Sequence, residues 1–364
     1  MLPTVLVVGG TGAQGSAVVR LLSESGRYSV QIPTRNSKSL QAMELTDLQN
    51  VSVVEADIFS ESDLMNLFAK VDMCFINTNG FAIGEKNEIY WSIRMHNIAR
   101  FCGVKHFVYA GLDYASKEVG FDPKYRCGHM EGKGKFGDFL ASQSTSPMNW
   151  SIVSSGPYME TLYENFKPRK DEYGVYVFAL PLADGELPLI CLNDLATYAL
   201  WMFDHPEKCR GLTLKVSTQH ASGEDIAKAF TSATGKPAKY EDVELEEYLT
   251  ESWKGLPNGA ETKIGASFAL NDPTLMTYRQ NFRGWWNLFR ATKGNKGFLT
   301  RDYQQLDKIL PTRIKSVAEW IQKSGYTGEA QSVLKTALTE ASERDCPTSD
   351  YSRYSDFCGP CYGP

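Results

Sequence analysis

Residues 126–140, RCGHMEGKGKFGDFL, set His129 four positions before Lys133. On a helix that spacing puts both side chains on one face, with Tyr125 one turn earlier. Addition of hydride to a carbonyl, imine or activated alkene leaves negative charge that needs a proton donor or a fixed positive charge beside it. His129 titrates near neutrality and could donate a proton itself. Lys133 could act alone, as acid or as an orienting cation. Tyr158, in the turn after a later strand, is a third donor.

Hydride chemistry calls for a carrier, and the start of the chain has a place for one. Gly9-Gly10-Thr11-Gly12-Ala13-Gln14-Gly15 directly follows an apolar strand and directly precedes a helix pattern. Glycines there permit a tight turn, close approach of backbone to a pyrophosphate and close packing of helix on sheet, while the helix start supplies N–H donors. The end of the second strand selects the dinucleotide. An NAD site places an acidic residue about 20 positions after the fingerprint, whereas this chain has Arg35 there and no carboxylate from Gln31 to Leu40. Arg35 and Lys38, with Asn36 and Ser37 between them, suit a 2′-phosphate. The expected cofactor is NADP(H). Asp57 and Ile58 follow the third strand on the adenine side. Asn77, Thr78 and Asn79 follow the fourth, on the nicotinamide-ribose side.

The elements that must hold these residues read as alternating strand and helix, the pattern of a parallel sheet covered on both faces. Strands are expected at 4–8, 29–33, 51–55, 73–77, 106–110 and 150–154, with helices at 16–25, 62–69 and 88–102 and another carrying Lys133. After Ser155 the pattern loosens: strands at 173–180, 187–191 and 212–217, helices at 194–203 and 222–234. The fold class is α/β, a Rossmann doubly wound parallel sheet with a smaller interleaved substrate lobe. Residues 1–155 form the NADP(H)-binding domain, with 188–218 returning to it. Residues 156–187 and 219–328 form the lobe, and 329–364 a helical, then disordered, tail. Tyr278, Phe282, Trp285, Trp286 and Phe289 recur at helical spacing, as expected for a helix packing an aromatic face inward.

With 364 residues, 42% of them hydrophobic, the chain can bury a full core. A net charge of −5 and a pI near 5.7 disfavour nucleic-acid binding. No apolar run reaches the ~18 residues of a membrane span, and the amino terminus lacks the features of a signal peptide. A cytoplasmic protein is expected, with the nucleus also open. Eight scattered cysteines do not form a disulfide framework. Cys358 and Cys361 spell C-x-x-C, but without the strand and helix that would activate it. No metal site is assigned.

Together GGTGAQG, the Arg35 strand end, FVYAGL (107–112), HMEGKGK (129–135), SSGPYMETLYENF (154–166) and DLATYALWMFDHPEKCRG (194–211) resemble the NmrA-like branch of atypical short-chain dehydrogenase/reductases, with a fungal flavour in residues 301–328. The resemblance implies NADP(H) bound by Gly9, Thr11, Gly12, Ala13, Gln14 and Gly15, by Arg35, by residues 77–79, by Lys133 and by the turn Ser155, Gly156, Pro157 and Tyr158. It implies a tyrosine where this chain has His129. It also implies E-x-x-Q-G-K where this chain reads Glu88-Ile89-Tyr90-Trp91-Ser92-Ile93. The family contains both working NADPH reductases, frequent in fungal secondary metabolism, and regulators that sense the nucleotide and bind a protein partner. A reductase of a small aromatic or polyketide-like metabolite is the first expectation, with Tyr158, Tyr163, Phe166, Trp285 and Trp286 as pocket walls. A non-catalytic regulator with a protein partner is the second.

Overall fold

The computed structural model describes residues 1–268 and 272–334. The tail beyond residue 334, with Cys358 and Cys361, lies outside the described residues. Six strands alternate with helices in the first half: β1 (Thr4–Val8), β2 (Ser29–Thr34), β3 (Val51–Glu55), β4 (Met73–Ile76), β5 (His106–Leu112) and β6 (Asn149–Ser155). Then come β7 (Arg169–Lys170), β8 (Tyr176–Leu180), β9 (Leu187–Leu189), β10 (Leu212–Lys215), β11 (Gln219–Ala221) and β12 (Ala238–Asp242). The helices are α1 (Ala13–Ser25), α2 (Leu40–Thr46), α3 (Glu61–Phe68), α4 (Gly80–Phe101), α5 (Ala115–Glu118), α6 (Gly128–Ala141), α7 (Leu192–Asp204), α8 (Gly223–Thr234), α9 (Leu245–Ser252), α10 (Tyr278–Arg290), α11 (Tyr303–Ile309) and α12 (Val317–Ser324).

β1 shows why the sheet is buried on both sides. Val5, Leu6, Val7 and Val8 are all fully buried, and alternate residues point to opposite faces. Val5 and Val7 join α1 and α7 through Val18, Val19, Leu22 and Tyr198. Leu6 and Val8 join α3, α4 and α6 through Leu64, Met95 and Phe136. The strand order is β10-β6-β5-β4-β1-β2-β3, every neighbouring pair parallel. The order reverses between β1 and β4, and the crevice above that switch point is where such sheets take ligands.

The lobe has its own core, in which Phe178, Phe230, Trp286, Trp320 and Tyr326 are buried, over the three-stranded β12-β8-β7 and two-stranded β11-β9 sheets. The loose second-half pattern hid β7, β11, β12 and α9, whose short runs carry little period. The span 187–191 shortens to β9, which pairs with β11 rather than with the large sheet. Residues 303–310, inside the span read as lobe, pack on the sheet's helix layer: Leu306 is buried with α7, and Tyr198 donates to its carbonyl at 3.2 Å. No helix among the described residues is long and apolar enough to cross a membrane.

Candidate functional site

At the end of β1 the chain turns at Gly9, whose φ of +76° lies in the left-handed region. A Cβ on Gly9 would sit 2.3 Å from the carbonyl oxygen of Asn77, and one on Gly15 would sit 2.1 Å from the carbonyl oxygen of Gly9. Side chains at these two positions would force β1, α1 and the end of β4 apart. Gly12 caps α1 without any side-chain acceptor. The first-turn N–H groups of Ala13, Gln14 and Gly15 therefore remain available to an anion. Gln14 is buried, and its Nε2 has no hydrogen-bond partner among the described residues. A dinucleotide diphosphate fits these features: a glycine cradle, free backbone donors and an orphaned amide.

Along the cradle to one side, Arg35 and Lys38 are exposed at the end of β2, and neither side chain is in an ion pair among the described residues. Asn36 and Ser37 are occupied locally: Asn36 Oδ1 accepts from the Lys38 N–H at 3.0 Å, and Ser37 donates to Glu55 at 2.8 Å. Asp57 closes its own turn, accepting from the Phe59 N–H at 2.9 Å. Ile58 packs against the sheet.

To the other side lie residues 77–79 and Lys133, projecting from α6 toward the ends of β4 and β5. The Lys133 ammonium contacts Asn77 Oδ1 at 3.3 Å, the Thr78 carbonyl at 3.1 Å and the Ala110 carbonyl at 3.2 Å. It also contacts Glu88 Oε1, at 3.0 Å. Thr78 donates to the same Glu88 oxygen at 2.7 Å. Asn79 caps α4, accepting from the Phe81 N–H at 3.1 Å. Glu88 was not anticipated as a site residue. The signal was present, since Glu88, Ser92, Met95 and Ala99 lie along one buried face of α4, and a carboxylate on such a face requires a partner.

The other two candidate donors sit elsewhere. Tyr125 belongs to the short 3-10 turn before α6 and packs on Phe298, so the helical face begins at His129. The His129 ring packs against Phe81, at 4.6 Å, and Phe282, at 5.8 Å, two rings that also stack on each other at 5.8 Å. Its Nδ1 is 3.1 Å from Asn281 Oδ1 and 3.3 Å from Cys127 Sγ. Desolvation lowers its pKa to about 4, opposed by the hydrogen bond to Asn281 Oδ1 and reinforced by the charge of Lys133. His129 is thus a neutral imidazole at neutral pH. Burial also holds the Cys127 thiol protonated. Asn281 is fully buried on the aromatic face of α10, and only the polar break in that apolar stripe marked it in the sequence.

Tyr158 points toward the fingerprint. Its hydroxyl is 3.0 Å from Gln14 Oε1, and burial pushes its pKa above the ordinary phenol value. Ser155 is buried, and the turn through Gly156 and Pro157 is pinned by the Ile190 N–H, which donates to the Pro157 carbonyl at 3.0 Å. Phe166, Trp285 and Trp286 are core residues of the lobe, and Tyr163 packs on Trp320 and Tyr326. A cavity of about 280 Å³ opens beside the start of α6, lined by Glu85, Arg126, Gly128, Ile264, Met276 and Asn281. Glu85 bridges Arg126 and Lys135, each at 2.6 Å. The walls of this cavity are more polar than the aromatic set expected from sequence.

A family model, the NmrA-like family, matches residues 1–300. An NmrA-like family domain-containing oxidoreductase, himF of Aspergillus japonicus, is 27% identical over 253 residues, which are 65% of this chain and 74% of that protein. An NAD(P)H azoreductase of Xenophilus azovorans is 26% identical over 276 residues, 75% of this chain and 88% of that one. Among solved structures, the negative transcriptional regulator NmrA in complex with NADP superimposes with a TM-score of 0.68 at 18% identity, covering 88% of this chain and 95% of the other.

Proposed function

The chain belongs to the NmrA-like family, and from that premise we propose that it is an NADPH-dependent reductase of a small organic metabolite. Aromatic or polyketide-like substrates, of the kind met in fungal secondary metabolism, are the class we favour. The observation that carries the reading is the continuity of the crevice: the fingerprint turn rests on Asn77 through Gly9, and Asn77 in turn touches Lys133. The oxidoreductase and azoreductase relatives support it.

In this reading the N–H groups opening α1 and the Gln14 amide hold the diphosphate, Arg35 and Lys38 take the 2′-phosphate, and residues 77–79 with Lys133 face the nicotinamide ribose. NADPH, when bound, supplies the hydride. Lys133 places the positive end of its ion pair with Glu88 beside the reacting centre. Tyr158 orients Gln14, and neutral His129 with Phe81 and Phe282 walls the substrate side and excludes water. A second reading has an observation of its own. Lys133 has four oxygen acceptors for three N–H donors, which suits a protein that binds NADP(H) and signals through a protein partner without turnover.

NADPH offered with quinones, azo compounds, aldehydes, enones and imines, followed by loss of reduced-cofactor absorbance, separates the two. Turnover reduced about 100-fold by Lys133→Ala is the expected outcome. No turnover with any acceptor, together with partner capture that changes between NADP+ and NADPH, would establish the regulator instead.

A further inference from the structure

We propose that Glu88 is a positioning residue which holds Lys133 as half of a neutral pair and so sets how strongly the site prefers oxidised over reduced dinucleotide. The proposal rests on the reading of Lys133 as a nicotinamide-side group.

The Glu88 carboxylate has no solvent exposure, and the Lys133 side chain is 11% exposed. Lys133 is the only cation paired with Glu88 among the described residues. One carboxylate oxygen takes both Lys133 and Thr78, and the other, Oε2, has no hydrogen-bond partner among the described residues. That oxygen occupies space left by a missing side chain, since a Cβ on Gly80 would lie 2.1 Å from it. Glu88 is therefore seated at the end of β4, where Gly80 opens α4, and its charge is balanced by the ammonium alone. Every N–H of Lys133 is already claimed, so the lysine acts on its surroundings by charge rather than by donating a proton.

An oxidised nicotinamide ring carries a positive charge and a reduced one does not. With Glu88 present the pair adds no net charge. Without it, Lys133 is an uncompensated cation in a site of low dielectric, and it repels the oxidised ring while leaving the reduced one unaffected. A tie that merely joined α4 to α6 would weaken both forms equally.

The test is calorimetric titration of the full chain with NADP+ and with NADPH. Glu88→Gln keeps the shape and the acceptor for Thr78, and should raise the ratio of the NADP+ to the NADPH dissociation constant about tenfold. Lys133→Met, which leaves the carboxylate uncompensated, should move the ratio the other way. The double variant Glu88→Gln/Lys133→Met should return it to within about twofold of wild type, and Glu88→Asp should stay near wild type. An unchanged ratio in Glu88→Gln with both forms still bound, or equal weakening of both, overturns the proposal. Should Glu88→Gln not fold, the direction of the Lys133→Met shift decides alone. A wild-type protein that binds neither form removes the cofactor reading, and this inference with it.

Discussion

The turn after β1 and the corner where α6 meets α10 border the same crevice but are made in different ways. The turn is assembled from seven consecutive residues, and its shape follows from backbone freedom at Gly9 and missing Cβ atoms. The corner joins His129 to Asn281, residues 152 apart in sequence, within a cluster of aromatic rings. Local construction tolerates no side chain at Gly9 or Gly15. Long-range construction tolerates shape changes but is sensitive to charge, because its polar groups have few partners in a desolvated place.

Three experiments would break or sharpen that contrast. The largest effect belongs to Gly15→Val, which pushes side-chain atoms into the Gly9 carbonyl, so dinucleotide affinity should fall more than about 100-fold. Retained affinity would show that the turn is not the diphosphate cradle. Arg35→Asp should leave the turn intact and move preference from NADP(H) toward NAD(H) about 30-fold, measured as the ratio of dissociation constants. The same ratio as wild type would remove Arg35 from the 2′-phosphate site.

The smallest effect is at the corner. The folded pKa of His129, about 4, lies below the ordinary 6.5. Its neutral form therefore supports the fold fully above pH 6.5, and that support is lost as pH falls toward 4. Denaturant titrations at pH 7 and pH 5 should show His129→Gln losing roughly 2 kcal/mol less than wild type over that interval. Equal losses would mean that the ring is hydrated and takes up its proton freely.

The same contrast explains what could be read from the sequence. Strands β1 to β6 were legible because each is a short run rich in apolar residues between turn signals, and the fingerprint because its residues are adjacent. α4 begins earlier than expected, at Gly80, because Gly84 breaks it with a φ of +76° and interrupts the helical period. Glu88 and Asn281 escaped notice because a polar residue on a buried helical face reveals its purpose only through a partner that the sequence does not place beside it. Tyr158 looked like a proton donor from its turn, yet the direction of its hydroxyl depends on how β6 sits against α1. The aromatic residues of α10 were correctly read as inward-facing, but most of them fill the lobe instead of lining a cavity.

The edge strand β10, formed by residues 212–215 beside β6, bears on how the protein is made. While the chain emerges from the ribosome, β6 is complete some sixty residues before its neighbour exists, and until then it is an open edge able to pair with another nascent chain. The insertion that builds β7 to β9 lengthens that interval. A fragment ending near residue 160 would carry the whole fingerprint and Lys133 but keep the outer edge of β6, the one β10 covers, permanently open, so stickiness rather than loss of its nucleotide residues would limit its use as a minimal domain.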